Sequence, residues 1–181
     1  GDFSSFLNKK HGIYITYLPD ENPKNVIETA KKLKLEGYEV IPHLPARTIL
    51  DKTNLESYIG ALANESGCTK ILIIGGGGNQ AGNISSTMDV LKTDLLSKYN
   101  YKHVGVAGHP EGSPDISNQN LDLAIKEKNN FSKNADFQMY IATQFFFEAK
   151  SLVEWEKHLS VLGNKLPIHA GIPGPASIKT L

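Results

Sequence analysis

Residues 70–82 read KILIIGGGGNQAG, a short apolar run set directly against four glycines, Gly75 to Gly78. An unbroken apolar run of this length predicts a strand buried on both faces of a parallel sheet, and the glycines predict a loop at its C-terminal end. Gly76-x-Gly78-x-x-Ala81 formally matches the fingerprint in which glycines let backbone N–H groups approach a pyrophosphate. In that fingerprint the helix follows at once, whereas here no helix is expected before Ser85. The better reading is a floor without side chains, on which a flat or phosphorylated ligand lies against backbone N–H groups. A plain surface turn is the alternative.

Similar runs occur on both sides of it. They are Gly12–Leu18, Tyr38–Leu44, Tyr101–Ala107, Phe137–Gln144 and Leu166–Gly171, and with Lys70–Gly75 their starts are separated by 26, 32, 31, 36 and 29 residues. Amphipathic helical patterns fill the intervals. Pro23–Leu35 has Asp20/Asn22 as cap, Pro23 in the first turn and Gly37 as stop. Leu55–Ala63, Met88–Leu96 after Ser85/Ser86, Leu121–Lys128 after Asn118/Asn120, and Phe146–Leu162 complete the set. Alternation of this kind means an α/β fold, either an open doubly wound sheet or a (β/α)8 TIM barrel. Polar residues and glycines follow nearly every strand: Thr16-Tyr17, His43, Gly75 to Gly78, Gly108-His109, Gln144 and His169 to Gly171. An open sheet gathers its ligand at one switch point, whereas a barrel uses many strand ends together. The expectation is therefore a TIM-barrel chain with about six βα units, one domain over residues 1–181 with no internal linker.

Composition excludes other classes. The chain has 181 residues, with 19 basic against 19 acidic side chains, so it lacks the cationic excess that drives nucleic-acid binding. No apolar run approaches the roughly 20 residues a bilayer requires. Cys68 is the only cysteine, which rules out an internal disulfide and a multi-cysteine zinc site. The start, Gly1-Asp2-Phe3-Ser4, shows neither the basic nor the apolar region of a signal peptide. A reduced, cytoplasmic, soluble enzyme or binding protein is expected.

Three further segments carry candidate chemistry. In the loop from Ala107 to Asp115, two prolines stiffen the chain and His109, Glu111 and Asp115 can titrate. His109 serves either as a ligand donor or acid/base, or it bonds Asp115 or Glu111 to shape the loop. In Thr143-Gln144-Phe145-Phe146-Phe147, Gln144 can donate and accept together, which suits an amide or pterin-like edge, while the phenylalanines read as core before they read as a stacking platform. His43, His109 and His169 lie near strand ends, as metal ligands would in a barrel hydrolase, yet the chain has no His-x-His pair and few strand-end carboxylates. No metal is expected.

Ile15-Thr16-Tyr17, Pro42-His43-Leu44, Gly108-His109-Pro110-Glu111, Ala142-Thr143-Gln144-Phe145-Phe146-Phe147 and Gly171-Ile172-Pro173-Gly174-Pro175, in this order and spacing, resemble the methylenetetrahydrofolate reductase family. The resemblance implies a (β/α)8 barrel with non-covalent FAD at the C-terminal strand ends. Reduced nicotinamide, or ferredoxin in some members, supplies electrons, and hydride passes to methylenetetrahydrofolate to give 5-methyltetrahydrofolate. It implies that Thr16, Tyr17 and His43 contact the cofactor from strands two and three. Gly75, Gly76 and Gly77 stand where the family commonly has Arg-Gly-Asp around the flavin ring. Ser86 begins the next helix near the cofactor, and His109 occupies a position that is often tyrosine. Lys128 resembles the basic residue that meets the FAD phosphates, Asp122 an acidic contact nearby. Gln144 matches the glutamine that contacts whatever stacks on the flavin, the one catalytic residue carried over.

Three departures accompany the match. The strand-four aspartate is Gly77, the loop arginine is absent, and no Phe-Glu-Phe-type segment with the general-acid glutamate precedes Thr16. A neutral glycine floor changes redox poise and electrostatics at the ring. A (β/α)8 barrel takes about 250 residues, and strands one and eight are unaccounted for, so a fragment of a longer enzyme is expected, or a partner that completes it. The alternative function is an altered or inactive relative acting as a folate/flavin-binding module or subunit. A homo-oligomer is compatible with either.

Overall fold

A computed structural model describes residues 7–18, 20–77 and 79–174. Its elements alternate along the chain as β1 (Gly12–Ile15), α1 (Pro23–Leu35), β2 (Glu39–Pro45), a 3₁₀ turn (Ala46–Thr48), α2 (Lys52–Asn64) and β3 (Lys70–Ile74). There follow α3 (Thr87–Leu91), α4 (Leu95–Lys98), β4 (His103–Gly108), α5 (Asn118–Ser132), β5 (Gln138–Phe145), α6 (Ala149–Val161) and β6 (Ile168–Gly171). The hydrogen-bonded strand order is β1-β2-β3-β4-β5-β6. An order that follows the chain without reversal belongs to consecutive βα units of a TIM barrel, whereas a doubly wound sheet reverses at its switch point. The partial-barrel expectation holds. No described helix is long and apolar enough to cross a membrane.

The chain divides into two compact units, Gly1–Gly105 with Asp136–Gln138, and Val106–Ala135 with Met139–Leu181. In the first, β1 pairs with β2 and β2 with β3, both parallel, so that Ile15 lies opposite Pro42, His43 opposite Leu72 and Pro45 opposite Ile74. Ile71, Leu72 and Ile73 are all buried, as a continuous apolar strand requires. Helix α1 starts and ends as expected: the Asn22 side chain accepts from the Lys24 N–H at 3.0 Å, and Val26, Ala30 and Leu33 face inward. Ser66 Oγ donates to the Ile27 carbonyl at 3.0 Å, tying the end of α2 to α1.

One expected helix is two. Met88–Leu96 is broken into α3 and α4, with Asp94 left-handed at φ 59°. Thr93 Oγ1 donates to the Val90 carbonyl at 2.7 Å and the Lys92 N–H returns to Met88 at 3.0 Å, which closes α3. Leu91, Leu95 and Leu96 are buried at helical spacing, and this concealed the break.

In the second unit β5 and β6 pair in parallel, with Ile141 opposite Ile168 and a register shift between Ala142 and Phe145. Helix α5 is capped by Ser117, whose Oγ accepts from the Asn120 N–H at 3.3 Å, and it runs to Ser132. Helix α6 begins at Ala149, three residues later than expected, because residues 146–148 form a loop instead. The Asn129 amide joins Ile125, Asn164 and Lys165 at 2.7–2.9 Å, fixing the turn after α6 against α5.

Candidate functional site

Strand geometry delivers the candidates. A parallel strand that ends leaves its next residues free of the ladder, and the first unit has three such ends side by side: Thr16 and Tyr17 after β1, His43 near the end of β2, and the glycines after β3. Thr16 is exposed and Tyr17 half-buried. The Tyr17 ring meets Tyr58 of α2 edge-on, centroids 5.7 Å apart, and Tyr58 Oη donates to the His43 carbonyl at 2.9 Å. Tyr58 thus links two expected site residues, although at its helical position it reads as ordinary core. The His43 ring is half-buried with Tyr14 edge-on at 6.0 Å, and burial lowers its pKa, favouring the neutral imidazole. Burial also raises the pKa of Tyr17, and the Glu21 charge adds to it.

The loop after β3 lies along the loop after β2. The Arg47 N–H donates to the Gly75 carbonyl at 3.0 Å, the Ala81 N–H to the Arg47 carbonyl at 2.8 Å, and the Asn83 N–H to Leu50 at 2.9 Å. Gly76 has φ +87°, and a Cβ there would come 3.0 Å from Cβ of Pro45. A Cβ at Gly75 or Gly77 would meet nothing within 4 Å. Gly78 lies outside the described residues. Ser86 caps α3: its Oγ accepts from the Asp89 N–H at 3.2 Å, and the Asp89 carboxylate accepts in return from Ser85 and Ser86. Burial pulls the Asp89 pKa upward, but these hydrogen bonds outweigh it and hold the carboxyl below its usual range.

The second unit holds its own group. His109 follows β4 and is half-buried, and its pKa is lowered by burial and then by the Lys128 charge. Lys128 on α5 is 7% exposed. Its Nζ donates to the Ala107 carbonyl at 3.3 Å, and burial brings its pKa down to about 8. Asp122 does not join it. Six residues apart on a helix is about 120° around the axis, and both Asp122 oxygens lie 2.9–3.0 Å from Nε2 of His158 on α6. His109 does not bond Asp115 or Glu111; Glu111 Oε1 instead accepts from the N–H groups of Phe147 at 3.1 Å and Glu148 at 3.4 Å, where α6 lacks a side-chain cap.

Gln144 is exposed at the end of β5, and its Oε1 accepts from the Phe145 N–H at 3.3 Å, which leaves the amide nitrogen able to donate. The three phenylalanines divide. Phe146 is core at 8% exposure, but Phe145 at 54% and Phe147 at 66% face outward. His169 stacks on Tyr140 at 4.3 Å. Among the described residues no group of three or more His, Cys, Asp or Glu could hold a metal ion.

The arrangement has known relatives. The family model described as methylenetetrahydrofolate reductase matches residues 9–181. "Methylenetetrahydrofolate reductase 2" of Saccharomyces cerevisiae is 29% identical over 120 residues, covering 61% of this chain and 19% of that protein. "Methylenetetrahydrofolate reductase 1" of Schizosaccharomyces pombe is 38% identical over 71 residues, 38% of this chain and 11% of that protein. The aligned stretches are less than a fifth of either relative's length. Since the family model spans nearly every residue, strand ends included, the chain belongs to the methylenetetrahydrofolate reductase family.

Proposed function

We propose that this chain carries cofactor- and substrate-binding strand ends of an FAD-dependent cytoplasmic oxidoreductase of folate one-carbon metabolism. The reaction is reduction of 5,10-methylenetetrahydrofolate to 5-methyltetrahydrofolate, with reduced nicotinamide or another reductant as donor. The supporting observation is positional: Thr16-Tyr17, His43, Gly75 to Gly77, His109 and Gln144 each stand at or just beyond the C-terminal end of their own strand, β1 to β5 in turn.

The residues fit a flavin nucleotide. Lys128 is a buried cation whose only hydrogen bond among the described residues is to a neutral carbonyl, and the Glu127 charge offsets its burial only in part, so an anionic phosphate would satisfy a charge the fold leaves largely uncompensated. Gly75 and Gly77 leave open space where side chains would otherwise stand, which suits a flat ring. Bound FAD would supply the hydride-transfer chemistry, which no side chain can. His43 and His109, held toward neutrality by burial, can donate hydrogen bonds without placing a cation beside the ring. Thr16 and Tyr17 flank the same strand end. Ser86 and Asp122 enter as contacts from the starts of α3 and α5, each already sharing oxygens within the protein. Gln144 offers its amide nitrogen to substrate or nicotinamide.

The purified protein is expected to be yellow, to bleach with a reductant and to be reoxidised by methylenetetrahydrofolate. A colourless protein that takes up no added FAD overturns the reading. A second reading, a folate/flavin-binding module without reductase activity, is favoured by Gly77, an exposed residue in the place of the family aspartate. Flavin that binds tightly yet is never reoxidised by methylenetetrahydrofolate would select it.

A further inference from the structure

Of the 19 basic residues in the chain, 18 are lysine and one, Arg47, is arginine. A chain that uses lysine at every other basic position has its single guanidinium in the 3₁₀ turn just beyond β2, beside the glycine loop. Lysine does equally well wherever a solvated point charge suffices. Arginine differs by its planar fork of fixed N–H donors, which matches oxyanions in two-pronged geometry.

The surroundings of Arg47 leave one donor of this fork, Nε–H, unsatisfied. Its Nε is buried and has no hydrogen-bond partner, and the side chain makes no ion pair with any described residue. A buried N–H left unpaired costs about 1–3 kcal/mol, more for a charged group, so such donors in native proteins mark either a strain reservoir or an absent acceptor. The backbone of Arg47 is held at both its N–H and its carbonyl, by Gly75 and Ala81 at 3.0 and 2.8 Å. Those two bonds fix the residue against the loop whose glycines leave open space at 75 and 77. A half-buried, permanently cationic residue is thus anchored through its backbone beside an open floor, with one side-chain donor lacking an acceptor.

We infer that Arg47 is an oxyanion-binding residue, its Nε–H donating to a phosphate or carboxylate oxygen of a molecule bound on the glycine loop. The inference rests on the flavin–folate reading only for which anion that is; the unpaired donor and the open loop exist without it.

The single arginine makes the test direct. Protein labelled with ¹⁵N in arginine alone gives one Nε–H resonance, which needs no assignment. It is titrated separately with FAD, riboflavin, inorganic pyrophosphate, 5-methyltetrahydrofolate and free glutamate. A saturable shift with FAD and pyrophosphate but not riboflavin identifies a phosphate; a shift with the folate and glutamate identifies a carboxylate; either supports the inference. A resonance unmoved by every one of them overturns it. Failure of the flavin–folate reading looks different, since FAD and the folate would not bind at all while pyrophosphate or glutamate still moves the peak. Arg47→Lys keeps the charge and the backbone bonds, and is expected to weaken the anion that shifts the peak by about tenfold. Unchanged affinity in that variant overturns the inference as well.

Discussion

Replacing Lys128 with methionine should stabilise the ligand-free protein. A protonated lysine at this buried place is disfavoured, which is why its pKa falls from 10.5 to about 8. A difference of that size corresponds to about 3 kcal/mol between the two protonation states. The variant gives up the hydrogen bond from Nζ to the Ala107 carbonyl, worth about 1 kcal/mol, so the net gain is about 2 kcal/mol at pH 7. The sign with pH follows from proton counting. Between pH 8 and 10.5 the unfolded chain still holds the lysine proton and the folded chain has lost it, so wild-type stability attributable to this group rises with pH. The advantage of Lys128→Met should therefore shrink steadily across that window. Urea unfolding of both proteins at several pH values, compared as differences so that other titrating groups cancel, measures it. Ligand binding should move oppositely: FAD affinity of the wild type declines as pH rises through about 8, and that dependence is absent in the variant. A variant no more stable than wild type at pH 7, with a difference that stays flat to pH 10.5, would refute the assignment of Lys128 as an uncompensated buried cation.

Gly76→Ala puts a Cβ on a residue at φ +87° and 3.0 Å from Cβ of Pro45. A loss of about 1–2 kcal/mol is expected, read as a lower urea midpoint, and an unchanged midpoint would mean that the loop relaxes freely. Gly77→Asp enters open space and should alter stability by no more than about 0.5 kcal/mol, while changing the rate at which methylenetetrahydrofolate reoxidises the flavin; an unaffected rate would separate this position from the redox step. On the proposed function, Gln144→Ala removes a donor to what stacks on the ring, so folate and nicotinamide use should fall by about tenfold with FAD affinity nearly intact. Equal losses of all three ligands would show that Gln144 has been misassigned.

Strand and helix order was legible because burial writes itself into sequence: Ile71 to Ile73 cannot be other than interior, and Val26, Ala30 and Leu33 repeat at helical spacing. Boundaries set by single hydrogen bonds were not. The break at Thr93-Asp94 depends on one hydroxyl returning to one carbonyl, and the late start of α6 depends on Glu111, 36 and 37 residues away, accepting from Phe147 and Glu148. The outward Phe145 and Phe147 around a buried Phe146 follow the two-residue period of an extended chain, a signal the expected helix at Phe146 obscured. Tyr58 carried no signal at all, since a helix residue facing the core looks the same whether or not its hydroxyl reaches a site. Arg47 did carry one, in being alone among lysines.

The glycine loop sharpens what the departure from Arg-Gly-Asp means. Had the loop taken a different path, all three positions would be expected to change in character together. Instead the middle residue, the one that the resemblance sets against a glycine, is the one that needs to be glycine, by its positive φ and its approach to Pro45. The two flanking positions have room for side chains and do not use it. A loop on this path has room at positions 75 and 77 for the arginine and aspartate side chains that the resemblance implies, so the departure is one of charge rather than of space. A loop altered only in charge leaves the binding of a flat ring largely to shape, while the ionisation and redox poise of whatever lies on it shift. On the proposed function that separates binding from turnover, which makes flavin uptake and folate-driven reoxidation two independent measurements.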